Sequence, residues 1–230
     1  MKNFTLILIL MAAMNLAQAQ TEILQIDVDT DSTESQFGAN RRHFIHTFMS
    51  LGLHTQIPVS GNYNFPRSTY SSFGILYKLK LSDYFSTGVT LSMEGSNIRL
   101  SKDRALPFPD TVKHNKETLQ QFALSGSYYL RINMEKRGNS IGKYFDLGIG
   151  GLLQTGANYR YEEPLKGKEI MDVKIRHYRM IRSSNWYLYT ALGVNNFAII
   201  ARYRMQSFFI DNSGFPEAPP IMIGFSWGFF

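Results

Sequence analysis

From His43 to the C-terminus, large apolar residues recur at every second position. In the first such segment Ile45, Thr47, Met49, Leu51 and Leu53 interleave with His46, Phe48, Ser50, Gly52 and His54. Seven more segments follow, over residues 73–81, 85–93, 122–130, 145–153, 186–194, 197–205 and 221–229. A period of two puts alternate side chains on opposite faces of a strand, whereas a helix needs apolar spacings of three and four. The pattern therefore predicts eight β-strands.

The second face decides what kind of sheet this is. It carries Gly, Ser, Thr and isolated charges, too small and too sparse for an ordinary water-facing surface. A membrane barrel turns its apolar face to lipid and fills its interior with such residues. Connection lengths agree: residues 58–68, 101–116, 162–182 and 210–219 form long connections. Between them fall Ser82-Asp83, residues 133–142 and Asn195-Asn196. Long loops alternating with shorter turns fit outer loops and periplasmic turns. The expected fold is all-β, an eight-stranded antiparallel up-and-down transmembrane β-barrel. A soluble β-sandwich is its architectural rival.

The N-terminus bears on the compartment. Lys2, the apolar run 4–11 and Ala17-Gln18-Ala19 have the charged, hydrophobic and cleavage regions of a secretory signal peptide. Its apolar stretch falls short of the ~20 residues that a spanning helix needs. After Ala19 no uninterrupted apolar run exceeds the five residues of Phe197–Ala201. The expected organisation is a signal peptide over 1–19, a mobile periplasmic leader over 20–42 and an outer-membrane barrel over 43–230. With 18 glycines, 14% aromatic residues and no cysteine among its 230 residues, the chain has no disulfides, thiolate sites or lipidated leading cysteine. Its formal charge is +6, or 23 − 18 = +5 once Lys2 leaves with the signal.

Together the signal peptide, the amphipathic strands and the aromatic end Phe225-Ser226-Trp227-Gly228-Phe229-Phe230 resemble the small outer-membrane β-barrel family of OmpX-like and PorT-like proteins. The glycine-bearing segments 144–150 and 188–194 are similar to its strands. The resemblance covers about 43–230 and consists of patterns rather than fixed residues. It implies that the barrel-assembly machinery reads Trp227, Phe229 and Phe230, although Phe230 falls in the register of Gly228 and Ser226. It supports architecture more than activity; the expected role is structural or interactive, a surface-facing membrane module, with a PorT-like accessory of a protein-secretion apparatus, acting through leader and turns, as the alternative.

Three groups of residues are candidates for chemistry. Lys78, Lys80, Arg131, Arg202 and Arg204 share the interior register with Glu94 and Asp146. Buried charges must be paired or hydrated, so they read as a charge network filling the barrel, or alternatively as a narrow anion-preferring pore. Between Tyr159 and Arg182 seven cations outnumber four anions. There Lys174, Arg176, Arg179 and Arg182 form a ledge for phosphates of lipopolysaccharide or for an acidic partner, or else a solvated hairpin. His43, His46, His54, His114 and His177 show no local serine–carboxylate arrangement, so no catalytic site is expected; a lipid-modifying barrel enzyme is the alternative from another class. No cofactor loop, metal cluster or nucleic-acid module is present in the sequence. Aromatic residues near predicted strand ends, including Tyr63, Tyr70, Tyr144, Tyr159, Trp186, Phe208 and Phe209, are expected in two interfacial girdles. The expected partners are outer-membrane lipid, the assembly machinery and envelope or secretion proteins, with a monomeric chain.

Overall fold

The computed structural model describes residues 35–55, 61–102, 114, 116–135, 138, 140–164, 170–176, 179–211 and 213–230. The expected signal peptide, residues 1–19, and residues 20–34 of the expected leader lie outside the described residues, as do His177 and most of the connection 101–116.

Nine strands form among the described residues: β1 (His43–Thr55), β2 (Thr69–Lys80), β3 (Phe85–Arg99), β4 (Lys116–Asn133), β5 (Lys143–Pro164), β6 (Ile170–Arg176), β7 (Ser184–Val194), β8 (Phe197–Arg204) and β9 (Ile221–Phe229). All belong to one antiparallel sheet, ordered β4-β3-β2-β1-β9-β8-β7-β5-β6, and β4 also pairs with β5. That pairing closes eight strands into a ring. The ninth strand, β6, hydrogen-bonds only to the far end of β5 (Asn158–Pro164) and stands beyond the ring. The alternation of Met171, Val173 and Ile175 with Asp172, Lys174 and Arg176 is the sequence signal of this extra strand.

The two faces sort as the alternation predicts. Ile45, Leu51, Phe73, Ile75, Leu91, Met93, Leu124, Leu130, Leu147, Leu153, Leu192, Phe197, Ile199 and Phe225 are exposed on the outside. Ser50, Ser72, Ser92, Glu94, Ser125, Arg131 and Asp146 are buried inside. The start of β1, the end of β9 and the short connections lie at one end of the ring, the turn end; the strand ends joined by the long connections lie at the other, the loop end.

One bulge interrupts the alternation. Phe122 pairs with Gly156 and Ala123 with Gln154, so Thr155 is an extra residue in β5. An extra residue reverses the facing of everything beyond it. Ala157 and Tyr159 therefore point inward, into an apolar cluster at the loop end with Tyr63, Ile98, Leu119, Ile181, Phe208 and Phe209. The girdle expectation is corrected here. Tyr63, Tyr159, Phe208 and Phe209 plug the loop end, and Tyr70 and Tyr144 lie in a second interior cluster with Ala39, Phe44 and Ile141. Trp186 and Trp227 do face outward.

A closed eight-strand ring is only wide enough inside for side chains to fill it. This chain meets the limit by setting large residues against glycine. Tyr70 pairs with Gly52, Tyr129 with Gly88, Tyr144 with Gly193, Tyr187 with Gly150 and Tyr189 with Gly148. At Gly88, Gly148, Gly150 and Gly193 an added Cβ would lie closer than 3.0 Å to the opposing tyrosine ring. At the outward Gly126 the nearest atom would be 3.8 Å away, an ordinary contact. Gly150→Ala and Gly193→Ala should each destabilise the fold by about 1–3 kcal/mol, while Gly126→Ala is neutral or stabilising. Denaturant titration of the three variants is the check, and equal midpoints would refute the packing account.

Candidate functional site

The interior is built in layers, each an arginine held between a carboxylate and tyrosine rings. Toward the turn end, Arg131 on β4 faces its cross-strand partner Asp146 on β5. Its Nε and Nη2 each donate to one carboxylate oxygen at 2.7 Å, with side-chain exposures of 2% and 4%. The guanidinium lies 3.7 Å from the centroid of Tyr144 and 5.4 Å from that of Tyr129. Fork-to-fork geometry and ring stacking are both properties of guanidinium that lysine lacks.

Nearer the middle, Arg202 on β8 reaches across the ring to Glu94 on β3, with Nη1 at 2.9 Å from Oε1. The same Nη1 donates to the Tyr70 hydroxyl, and the guanidinium stacks 3.6 Å from the Tyr187 centroid. Ser125 Oγ and the Tyr187 hydroxyl are 2.6 Å apart, and Ser92 Oγ donates to Glu94 at 3.3 Å. Two interior cavities, about 90 and 60 Å³, are both lined by Tyr70, Glu94, Tyr187 and Arg202. This quartet is the partition between them. Arg131 Nη1 and His46 Nδ1 have no hydrogen-bond partner among the described residues and belong to residues lining the larger cavity, a polar space that suits bound water.

Both ends are tied shut. At the turn end Lys78, with 0% exposure, donates to the carbonyl of Ala39 and lies 5.4 Å over the Phe44 ring. Residues 35–42, assigned by sequence to the leader, thus pack against the ring. At the loop end Arg204 donates to Glu217 at 2.6 Å, to Ala218 O at 2.7 Å and to Gln206 O at 3.0 Å. Tyr63 donates to Pro216 O at 2.6 Å. These bonds draw the last long connection over the end of the ring.

The expected charge network is therefore divided. Arg131 with Asp146 and Arg202 with Glu94 pair inside as the register suggests. Lys80 instead pairs with the exposed Asp83 at 2.8 Å, at the turn end, and Arg204 serves the loop. The tyrosines between which the arginines stack were missed as site residues: each has the interior parity of its own strand, but which arginine a ring meets depends on the pairing of strands.

The basic ledge also divides. Arg182 is bound to Asp211 at 2.5 Å and withdrawn from it. Lys174, Arg176 and Arg179 are exposed and hold no ion pair among the described residues. Asp172 is taken by Arg160, whose hydrogen bond keeps that carboxyl below its usual range. At the C-terminus Trp227 stacks on Phe197 and Phe229 on the outside, while the Phe230 ring meets Phe44 and His46. Phe230 thus follows the interior register, as its position after Gly228 indicates.

The histidines are scattered. His43 Nδ1 is 2.8 Å from the Tyr77 hydroxyl, and His54 Nε2 is 3.1 Å from Ser96 Oγ inside the ring. His114 stacks on Tyr161 at the loop end, 2.5 Å from Glu163. The described residues contain no group of His, Cys, Asp and Glu that could hold a metal. No protein-family model matches the chain, and no curated protein matches it in sequence.

Arg202→Met should cost about 3–5 kcal/mol of stability by leaving Glu94 buried and unpaired. Adding Glu94→Gln should return a large part of that loss. A double-mutant cycle from denaturant unfolding measures the coupling; strictly additive losses would mean the pair is not a unit.

Proposed function

We propose that this chain is an integral outer-membrane protein, an eight-stranded transmembrane β-barrel with a structural or interaction role in the cell envelope. The observation that carries the reading is an inverted surface. Leu91, Met93, Leu153 and Phe225 are each about two-thirds exposed, at 66%, 70%, 64% and 69%, while Arg131, Asp146, Lys78 and Glu94 are buried. Water would penalise so continuous an apolar exterior, since exposed patches on soluble monomers rarely exceed a few hundred Å². Hydrocarbon would not.

The dimensions support the same reading. The apolar stripe of β3 from Phe85 to Met93 runs about 27 Å along the strand, or about 20 Å after a tilt of ~40°. With side-chain reach added, that approaches the ~25 Å apolar band of outer-membrane barrels. Among the described strands, ring closure leaves an open edge on β6 alone, in keeping with the demand that backbone groups in lipid be hydrogen-bonded within the protein. The turn end, with its short connections, is then periplasmic, and the loop end faces outward. Trp227, Phe229 and Phe230 close the last strand, where the assembly machinery would read them.

The interior favours a plugged barrel over a pore. The tyrosine–arginine layers cross it, and Lys78 and Arg204 tie segments over the two ends. Such a barrel carries its function on its loops, its turns and its lipid-facing surface.

Two measurements test this. Unboiled protein refolded in detergent should migrate differently from boiled protein, and the mature chain should fractionate with outer membranes. A mature chain that stays soluble without detergent and shows no boiling-dependent shift would falsify the barrel. In planar bilayers the folded protein should show no steady conductance, and a sustained open level would restore the pore reading.

A further inference from the structure

Above the apolar band, the outward face of four neighbouring strands changes to basic and amide-bearing side chains. Strand register aligns them in rows. Asn97 on β3 pairs with Gln120 on β4, Gln120 with Asn158 on β5, and Asn158 with Arg176 on β6. In the next row Arg99 pairs with Thr118, Thr118 with Arg160, and Arg160 with Lys174. The row beneath both is Gly95, Phe122 and Gly156, the top of the apolar face on these strands.

The bulge at Thr155 produces this arrangement. Without it Asn158 and Arg160 would face inward and Tyr159 outward. With it, the other face of the β5–β6 extension carries Tyr159, Tyr161, Val173 and Ile175. The strand cations are thereby confined to the side continuous with Met93, Phe122, Leu124 and Leu153, where the next row is Lys116, Glu162 and Asp172, while Glu163 falls on the other face. Arg160 is paired with Asp172, whereas Arg99, Lys174 and Arg176 hold no ion pair among the described residues.

Position narrows the ligand. At ~3.3 Å per residue and a tilt of ~40°, the two rows stand about 5 and 10 Å above Phe122, the depth of a headgroup zone. Three strand spacings separate Arg99 from Lys174, about 14 Å, so one row can meet more than one anionic group. Guanidinium and ammonium groups in such a row match phosphate oxygens. The apolar surface directly below suits acyl chains, which a free anion or an acidic protein segment would leave unused.

We propose that Arg99, Lys174 and Arg176, with Arg160 between them, form a binding site for the phosphates of an outer-leaflet phosphoglycolipid whose acyl chains lie on Met93, Phe122, Leu124 and Leu153. The proposal rests on the outer-membrane reading above. It accounts for the one strand outside the ring, because β6 supplies two of the four cations.

The test uses the full mature chain folded in detergent and titrated with purified lipopolysaccharide. Arg99→Glu/Lys174→Glu/Arg176→Glu should weaken binding by about 100-fold, given the usual worth of a cation at a membrane surface. Lys143→Glu, at the turn end, should change it less than about twofold. Dephosphorylated lipopolysaccharide should bind the unmodified chain as poorly as intact lipopolysaccharide binds the triple variant. If the reversed chain fails to fold, the glutamine triple variant takes its place, with an expected loss of at least about 10-fold. Unchanged binding by a folded triple variant overturns the site. Equal binding of the dephosphorylated lipid does the same, and competition by millimolar inorganic phosphate overturns the lipid assignment. Each of these failures leaves the boiling-dependent shift intact, whereas failure of the barrel reading abolishes that shift in the unmodified chain.

Discussion

Pairing of β4 with β5 closes the sheet, and most of the interior follows from that closure. A ring of eight strands has room inside for little more than one side chain across from another. Each large inward residue must then be met by a small one on the next strand. Tyr129, Tyr144, Tyr187 and Tyr189 lie over Gly88, Gly193, Gly150 and Gly148 for this reason. The rings so placed become the walls between which Arg131 and Arg202 stack. Packing and electrostatics are one arrangement here, since the glycines that admit the tyrosines also create the slots for the guanidiniums.

Such an interior has consequences for its charges. Arg131 and Asp146 are adjacent across a strand pair, so their contact is local. Arg202 and Glu94 lie on opposite sides of the ring, so theirs spans it. The first pair fixes register between β4 and β5, and the second braces the ring against collapse or ovalisation. A buried ion pair adds little net stability, but breaking one is expensive, so these contacts act chiefly against alternative registers. Lys78 and Arg204 use their charge differently, holding backbone carbonyls of the segments that cover the ends.

Much of the fold was legible in the sequence because period-two alternation survives any ignorance of partners. Ile45–Leu53 reads as a strand whichever strand lies beside it. Legibility ended wherever facing depended on a neighbour. Tyr159 sits among aromatic residues that hydropathy assigns to an interface, yet Thr155 displaces the register and turns it inward. Arg204 shares the parity of Arg202, yet it lies at the strand end where the last connection passes, and its carboxylate is Glu217. Arg182 belongs to a basic run, and only the crossing of two connections brings Asp211 to it. Arg99 was passed over entirely, since a lone arginine at a strand end gains meaning only from the row it joins.

The sequence by itself determined that the chain is a set of two-faced strands with a polar, glycine-rich second face, because alternation is a property of each segment alone. It also determined that Lys78, Glu94, Arg131, Asp146 and Arg202 fall on that face. The tertiary structure decided that eight strands close while a ninth stands outside, which tyrosine opposes which glycine, and which carboxylate each arginine finds. Those are pairings between distant residues: Arg202 and Glu94 are 108 positions apart, and Ser50 and Ser226, across β1 and β9, are 176 apart. They depend on register, and a single extra residue such as Thr155 reverses it.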